Sequence, residues 1–363
     1  MYVKKLRLMN FRNHSQFTAS FQDSPYLIFG ENGVGKTNLL EAVFVVIWGT
    51  SPRTRRLQEA ITFGEEYAYL EALLDIAGYE HKLQVTLEEG RRTLIYDNNR
   101  VKNLEDYRRG RALVTFAPRD LSLLTGSPTE RRNFLDQLCT MADEGYGRAL
   151  SEYHHSMRQK SYGLKHGLQE NLLRVYNQRM ARYGAAILRA RLKMVAALVP
   201  EIQRGYELLS GGREKIRLQY LATIPISWDE GEMEAHLLEG LEASRAEERR
   251  QGRSLYGPHL DDISFLLGER EAKRFASTGQ NRTVILSLKL AEIWLLKKLL
   301  DTEPVVLLDD VFSELDEERR RALIRATQDL QCFYTMAEEP GGLSQGGLPV
   351  PLLMENSKLL PHP

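Results

Sequence analysis

Two short runs of apolar residues stand out along the chain. Residues 26–29 (Tyr-Leu-Ile-Phe) and 305–308 (Val-Val-Leu-Leu) have no polar member, as expected of strands buried on both faces of a sheet. Around the first run the pattern is mostly alternating. It predicts strands over residues 3–9, 16–21, 25–29, 68–76, 81–88 and 93–97, grouped about one helix after residue 36. Ala77-Gly78 and Glu89-Gly90 separate pairs of these strands and read as hairpin turns, so the sheet is mixed rather than purely parallel. From about residue 129 to 209 the spacing turns helical. Leu164, Leu168, Leu172 and Val175, then Ile187, Leu188, Leu192 and Val195, recur at helical spacing up to an expected stop at Pro200. No heptad is sustained long enough for a coiled coil. Past residue 213 comes a strand and an acidic helix, and from about residue 254 strands and helices like those of the first part return. The segment after Pro340, rich in Gly and Pro, is expected to be loosely held.

The first apolar run leads into Gly30-Glu31-Asn32-Gly33-Val34-Gly35-Lys36-Thr37, which fits the G-x-x-x-x-G-K-[ST] phosphate loop. Its glycines let backbone N–H groups turn toward phosphate oxygens that a side chain would shut out. Lys36 is placed to reach the β- and γ-phosphates, and the Thr37 hydroxyl to bind Mg²⁺. Asn38 opens a run of helical pattern whose N-terminus faces the anion. The second apolar run ends in Asp309 and Asp310. Asp309 is assigned to Mg²⁺, directly or through water, and Asp310 to polarising the attacking water. Between the two lies Ser277-Thr278-Gly279-Gln280, just ahead of a helix. Alone it reads first as an ordinary helix N-cap, which needs the same residue types, and the flanking motifs reverse that. In this order the three pieces describe an α/β ATPase head closed by its two ends, with another lobe inserted.

Composition adds charge distribution. The 363 residues carry 49 Lys+Arg and 49 Asp+Glu, so net charge points to no partner. Yet residues 158–193 hold nine Lys/Arg against the single acid Glu170, and residues 229–248 hold eight acids against Arg245. In the basic stretch Arg158, Lys160, Lys165, Arg174, Arg179 and Arg182 are interleaved with Tyr162, Tyr176 and Tyr183, a pattern suited to phosphate contacts with DNA; a solvated helix face is the alternative. A second basic group is Arg108, Arg109 and Arg111. Cys139 and Cys332 are isolated, which suits a reducing cytosol and neither a zinc site nor a disulfide framework. No apolar run approaches ~20 residues, and the N-terminal Lys4, Lys5 and Arg7 do not resemble a signal peptide. A cytoplasmic protein with no membrane partner is expected.

Further segments carry a family likeness: Asn10-Phe11-Arg12-Asn13, Pro118-Arg119-Asp120-Leu121, Arg131-Arg132-Asn133-Phe134-Leu135-Asp136, Gly257-Pro258-His259-Leu260-Asp261-Asp262, Ser277-Thr278-Gly279-Gln280-Asn281-Arg282-Thr283 and Leu308-Asp309-Asp310-Val311-Phe312-Ser313-Glu314-Leu315-Asp316. In this order, over about residues 1 to 335, they resemble the RecF family of bacterial recombination mediators, whose heads are similar to those of SMC proteins and ABC ATPases. The resemblance implies an ABC-type head from residues 1–125 and 254–340, a mainly helical arm lobe over 126–253, and a flexible tail over 341–363. It implies that Ser277, Gly279 and Gln280 close the ATP of a second head, that Asp316 crosses the same interface, and that Arg12 and Asn13 lie near the nucleotide. ATP would then drive homodimerisation around duplex DNA or a single-strand/double-strand junction. RecR, and possibly RecO, would join in loading the RecA recombinase.

Three positions depart from the wider ABC pattern. Asp310 stands where Glu is usual, Thr335 where a switch histidine is sought, and Asp120 is the polar candidate where a glutamine loop is sought. Each points to slow hydrolysis, a weak DNA-stimulated ATPase used as a switch. His259 is read as a head residue near the signature, organising it, rather than as a zinc ligand. Two other classes are a transporter-type nucleotide-binding subunit, disfavoured by the long insert, and an OLD-type nuclease. The latter needs a further acidic metal cluster, for which some fifty residues after Asp309 leave too little chain.

Overall fold

A computed structural model describes residues 1–167, 169–212, 214–338 and 349–361. The chain divides into two compact units, Met1–Asp120 with Leu286–Pro363, and Leu121–Ile285. In the first unit β1 (Tyr2–Phe11), β2 (His14–Ser20), β3 (Tyr26–Phe29), α1 (Lys36–Trp48), β4 (Tyr67–Ile76), β5 (Tyr79–Glu88), β6 (Arg91–Tyr96), β7 (Asn99–Val101), α2 (Leu104–Arg108) and β8 (Leu113–Phe116) follow in order. One sheet runs β2-β1-β4-β5-β6-β7, antiparallel throughout. Both expected hairpins form. At the first, Ala77 and Gly78 have φ of 53° and 84°, the paired left-handed geometry that matches the twist of tight hairpins. Alternation along β1, β4 and β5, with a register shift in β1 between Val3 and Lys5, turns Val3, Leu6, Leu8, Leu70, Leu74 and Val85 to a buried face. On that side α1 packs against β4 and β5, apolar nearly all round from Leu39 to Trp48.

The second unit holds α3 (Ser122–Thr125), α4 (Pro128–Ala142), α5 (Glu144–His166), α6 (Glu170–Ser210), β9 (Ile216–Leu221), α7 (Glu230–Ala243), α8 (Arg245–Gln251), β10 (Asp262–Leu267), β11 (Arg270–Glu271), α9 (Ala272–Phe275) and the start of α10 (Thr278–Leu300). Of the helical repeat, Leu168 lies outside the described residues. α6 does not stop at Pro200; it runs on to Ser210, 41 residues in all. An interior proline costs about 3 kcal/mol. The buried stripe outweighs that, continuing from Leu188, Leu192 and Val195 to Ile202, Tyr206 and Leu209 on the far side. Residues 254–285, expected in the head, belong to this unit. β10 pairs with β9 in the sheet β11-β10-β9, and the Pro258 carbonyl accepts from Arg191 of α6.

The first unit is completed by the rest of α10, β12 (Val305–Leu308), α11 (Glu317–Thr327), β13 (Cys332–Met336), β14 (Val350–Glu355) and β15 (Lys358–Pro361). Its second sheet has the order β15-β14-β3-β13-β12-β8, with every pair parallel except β14–β15. β3 and β12, the two apolar runs, are buried at every residue. β13 separates them, so the phosphate loop and Asp309 leave the same sheet edge about 10 Å apart. The tail expectation is overturned where the structure describes it. Residues 350–361 form a hairpin joined to β3, because backbone pairing with an open strand edge holds a segment whatever its composition. Residues 341–348, 362 and 363 of that expectation lie outside the described residues.

Candidate nucleotide site

The loop after β3 wraps to the N-terminus of α1, where Gly35 is the N-cap with φ of 113°. A side chain there would be strained and would also meet Asn13 at 2.7 Å and His14 at 2.8 Å. The first-turn N–H groups of α1 therefore face the loop with no side chain in the way. Lys36 Nζ donates to the carbonyls of Gly30 (2.6 Å) and Glu31 (2.8 Å). Burial lowers the basicity of this ammonium, and Asp310 and Asp309 oppose that. Thr37 Oγ1 donates to Asp309 Oδ1 at 2.8 Å, joining the helix start to the end of β12. Thr335, on the intervening β13, donates to the same carboxylate oxygen at 2.8 Å and accepts from the Asp310 amide at 3.0 Å. Where a switch histidine was sought, Thr335 thus holds the Asp309 carboxylate and the Asp310 backbone. Asp310 has φ of 51°, left-handed geometry that Asp tolerates better than most residues.

A hydroxyl and a carboxylate at this spacing are the hard oxygen donors Mg²⁺ prefers. Among the described residues no group of three or more His, Cys, Asp or Glu could hold a metal. The protein would supply Thr37 and Asp309, leaving the other positions to water and phosphate, which is the usual state of Mg²⁺ in phosphate sites. Beside the pair opens a cleft of ≈ 180 Å³ lined by Leu40, Phe44, Arg53, Phe116 and Arg119. Asp120 does not act there as a free polar group: its carboxylate accepts from the Ala117 amide at 2.9 Å and caps its own turn.

Arg12, Asn13 and Asn38, expected at the nucleotide, are brought to the loop but held by protein partners. Asn13 donates to the carbonyls of Gly33 and Val34 and accepts from Asn38. Arg12 makes a two-pronged pair with Glu41, at 3.0 and 2.7 Å, and donates to the Glu59 carbonyl. Glu41, 2% exposed, also accepts from Ser51 and Arg53. Burial raises its carboxyl, but Arg12, Ser51 and Arg53 together reverse this and hold it below the ordinary range. Glu41 escaped the sequence reading, though an acid inside the otherwise apolar run 39–48 was a visible signal.

In the second unit Ser277 and Gln280 form a reciprocal cap. The Ser277 amide donates to Gln280 Oε1 at 2.8 Å and the Gln280 amide to Ser277 Oγ at 3.2 Å. The geometry is that of the ordinary N-cap, and it leaves the exposed hydroxyl's hydrogen for a ligand. Gln280 Nε2 donates to both oxygens of Glu214. Gly279 is exposed, with nothing within 4 Å of where a Cβ would stand. Asp316 caps α11, accepting from the Arg319 amide and guanidinium. His259 is held by protein partners: its Nδ1 meets Tyr153 Oη at 2.7 Å and its Nε2 the Ser254 carbonyl at 3.3 Å.

The basic stretch divides. Arg158, Lys165, Arg174, Arg179 and Arg182 are exposed, Arg179 in a pair with Glu152. Lys160 is withdrawn from the DNA-contact set. It is 1% exposed and bound to Glu248 at 2.6 Å, because the α5 stripe turns it inward. The second basic group is also structural in part. Arg108 donates to the Trp48 carbonyl at the end of α1, and Arg111 is buried between the rings of Tyr96 and Tyr107.

The sequence profile of the RecF/RecN/SMC N terminal domain matches residues 2–337. The DNA replication and repair protein RecF of Cyanothece sp. is 33% identical over 336 residues, 91% of this chain and 89% of that protein. Its counterpart from Thermosynechococcus vestitus is 36% identical over 335 residues, 91% of this chain and 88% of its own length. The chain belongs to the RecF family. A solved structure described as the recombination mediator protein RecF-ATP in the RecFOR pathway has a TM-score of 0.92 at 27% identity, covering 100% of this chain and 98% of that one. An Smc head bound to the C-winged helix domain of ScpA shares the fold, with a TM-score of 0.57 at 15% identity over 99% of this chain and 97% of that one. The ABC/SMC-type head built from both chain ends is therefore the architecture of this protein, as the motif order implied. No helix among the described residues is long and apolar enough to cross a membrane.

Proposed function

We propose that this RecF-family chain binds Mg²⁺–ATP at the Gly30–Thr37 loop and uses it to join two copies around DNA. The observation that carries the reading is the Thr37–Asp309 pair, a hydroxyl and a carboxylate 2.8 Å apart at one sheet edge beside the phosphate loop. Lys36 would release the loop carbonyls for the β- and γ-phosphates. Asp310 would orient the attacking water. Ser277, Gly279 and Gln280 of one copy, with Asp316, would complete the site of the other. Hydrolysis is slow and DNA-stimulated in this reading, since Asp310 is a methylene shorter than Glu. The relatives' names as DNA replication and repair proteins, and the neighbour's description as a recombination mediator in the RecFOR pathway, support action in recombinational repair. In this reading the protein acts in the cytoplasm at gaps and junctions, with RecR, RecO and the RecA recombinase as partners.

Mass by light scattering tests the central step. Wild type should be monomeric without nucleotide and dimeric with Mg²⁺–ATP. Lys36→Ala should stay monomeric because ATP is lost. Ser277→Arg should bind ATP yet stay monomeric because the second wall is jammed. A wild-type monomer saturated with ATP would sink the shared-site mechanism.

A further inference from the structure

The hairpin of β14 and β15 lies beyond the segment the family profile matches, and nothing in the nucleotide reading uses it. It nevertheless touches the phosphate loop at two places. β14 pairs in parallel with β3, placing Leu353 beside Phe29, the last residue before the loop. A Cβ on Gly30 would lie 2.6 Å from the Met354 carbonyl oxygen. The first loop glycine thus has no side chain partly because the C-terminal strand occupies that space.

The second contact runs through the hairpin turn. Asn356 and Ser357 have φ of 47° and 57°, which brings Ser357 Oγ to 3.2 Å from His14 Nδ1. His14 Nε2 lies 3.2 Å from the Gly35 carbonyl oxygen, and the ring is 0% exposed. A carbonyl can only accept, so Nε2 carries the hydrogen. Nδ1 then accepts from the Ser357 hydroxyl, and one neutral tautomer satisfies both partners. Burial lowers the basicity of His14 and keeps that neutral form. The Gly35 carbonyl also accepts the first bond of α1, from the Leu39 amide at 2.8 Å. In a planar trans peptide the C=O and the next N–H point opposite ways. Fixing the Gly35 oxygen therefore aims the Lys36 N–H, which belongs to the anion-facing start of the helix.

We propose that the C-terminal hairpin is a clasp on the phosphate loop, and that His14 is the positioning residue through which Ser357 fixes the Gly35–Lys36 peptide for the triphosphate. The proposal rests on the ATP-binding reading above. It makes nucleotide affinity depend on a side chain that never touches the nucleotide.

The test is fluorescent N-methylanthraniloyl-ATP binding to the full chain, with thermal melting of each variant. His14→Leu keeps apolar bulk without the donor and should weaken binding about tenfold, the worth of one buried hydrogen bond. His14→Gln retains an amide N–H at the same reach and should stay within about twofold of wild type. Ser357→Ala should weaken binding roughly threefold at an unchanged melting temperature. Equal losses in the Leu and Gln variants would overturn the proposal, since packing alone would then explain them. Wild-type affinity in His14→Leu would overturn it too. Absence of binding by wild type would instead remove the ATP reading, and the clasp with it.

Discussion

His259 is held where it cannot easily take a proton. Tyr153 and the Ser254 carbonyl occupy its two nitrogens, and burial pushes its pKa down from 6.5 to about 4 against the raising effect of that carbonyl. The unfolded chain therefore binds a proton between pH 6.5 and 4 that the native chain refuses. Stability is whole above pH 6.5 and falls as the pH drops toward 4, by about 1.4 kcal/mol per unit, on the order of 3 kcal/mol in total. Burial depresses His14 and His154 in the same direction. Urea unfolding between pH 7 and 5 should show this slope, and His259→Gln should flatten part of it. An unchanged slope in that variant would assign the acid sensitivity elsewhere.

Among elements, α6 is the one on which the second unit is assembled, and Arg191 is its fastening. Its guanidinium donates to Asp136 of α4 at 2.7 and 2.9 Å, to Tyr146 of α5 at 3.0 Å, to Tyr220 of β9 at 3.3 Å and to the Pro258 carbonyl at 2.7 Å. Asp261 extends the network to Tyr220 and Thr223. The Gly-Pro-His-Leu-Asp segment is thus wired to the long helix through Pro258 and Asp261. Removing one partner from a buried charged network leaves the others unsatisfied. Arg191→Met should lower unfolding stability by about 3–5 kcal/mol. Lys193→Met, at an exposed position on the same helix, should change it by less than about 0.5 kcal/mol. Equal effects in urea titrations would refute the role of Arg191 as the fastening.

For the whole molecule, balanced net charge conceals how the basic side chains are spent. Lys160 and Arg191 are buried in ion pairs, and Arg179 and Arg189 face Glu152 and Glu230. Arg158, Lys165, Arg174 and Arg182 remain exposed on α5 and α6. If they contact phosphates, duplex binding should weaken linearly in log–log salt titrations. Arg174→Glu with Arg182→Glu should lower the slope by about 2 and the affinity at least about tenfold. Lys160→Met should leave DNA affinity alone while destabilising the fold, because it strands the Glu248 carboxylate. Loss of DNA binding in Lys160→Met at full stability would reverse that assignment.

Features that depend on a few neighbouring residues were legible along the chain. The phosphate loop, the two buried strands, the hairpins at Ala77-Gly78 and Glu89-Gly90 and the face of Ile187, Leu188, Leu192 and Val195 follow from glycine geometry and from periods of 2 and 3.6, whereas Leu172 and Val175 of the same expected repeat are exposed. Motif order also placed the head at both ends. Other outcomes needed the folded chain. Pro200 stays inside α6 because apolar contacts on both sides outweigh its local cost. The tail becomes two strands because β3 offers it an edge. Arg12 goes to Glu41 rather than standing open, and Lys160 goes to Glu248. Ser357 reaches His14 across 343 positions. Period and turn chemistry belong to a segment, whereas burial and hydrogen-bond partnership belong to pairs of groups, and only the fold decides which distant groups meet.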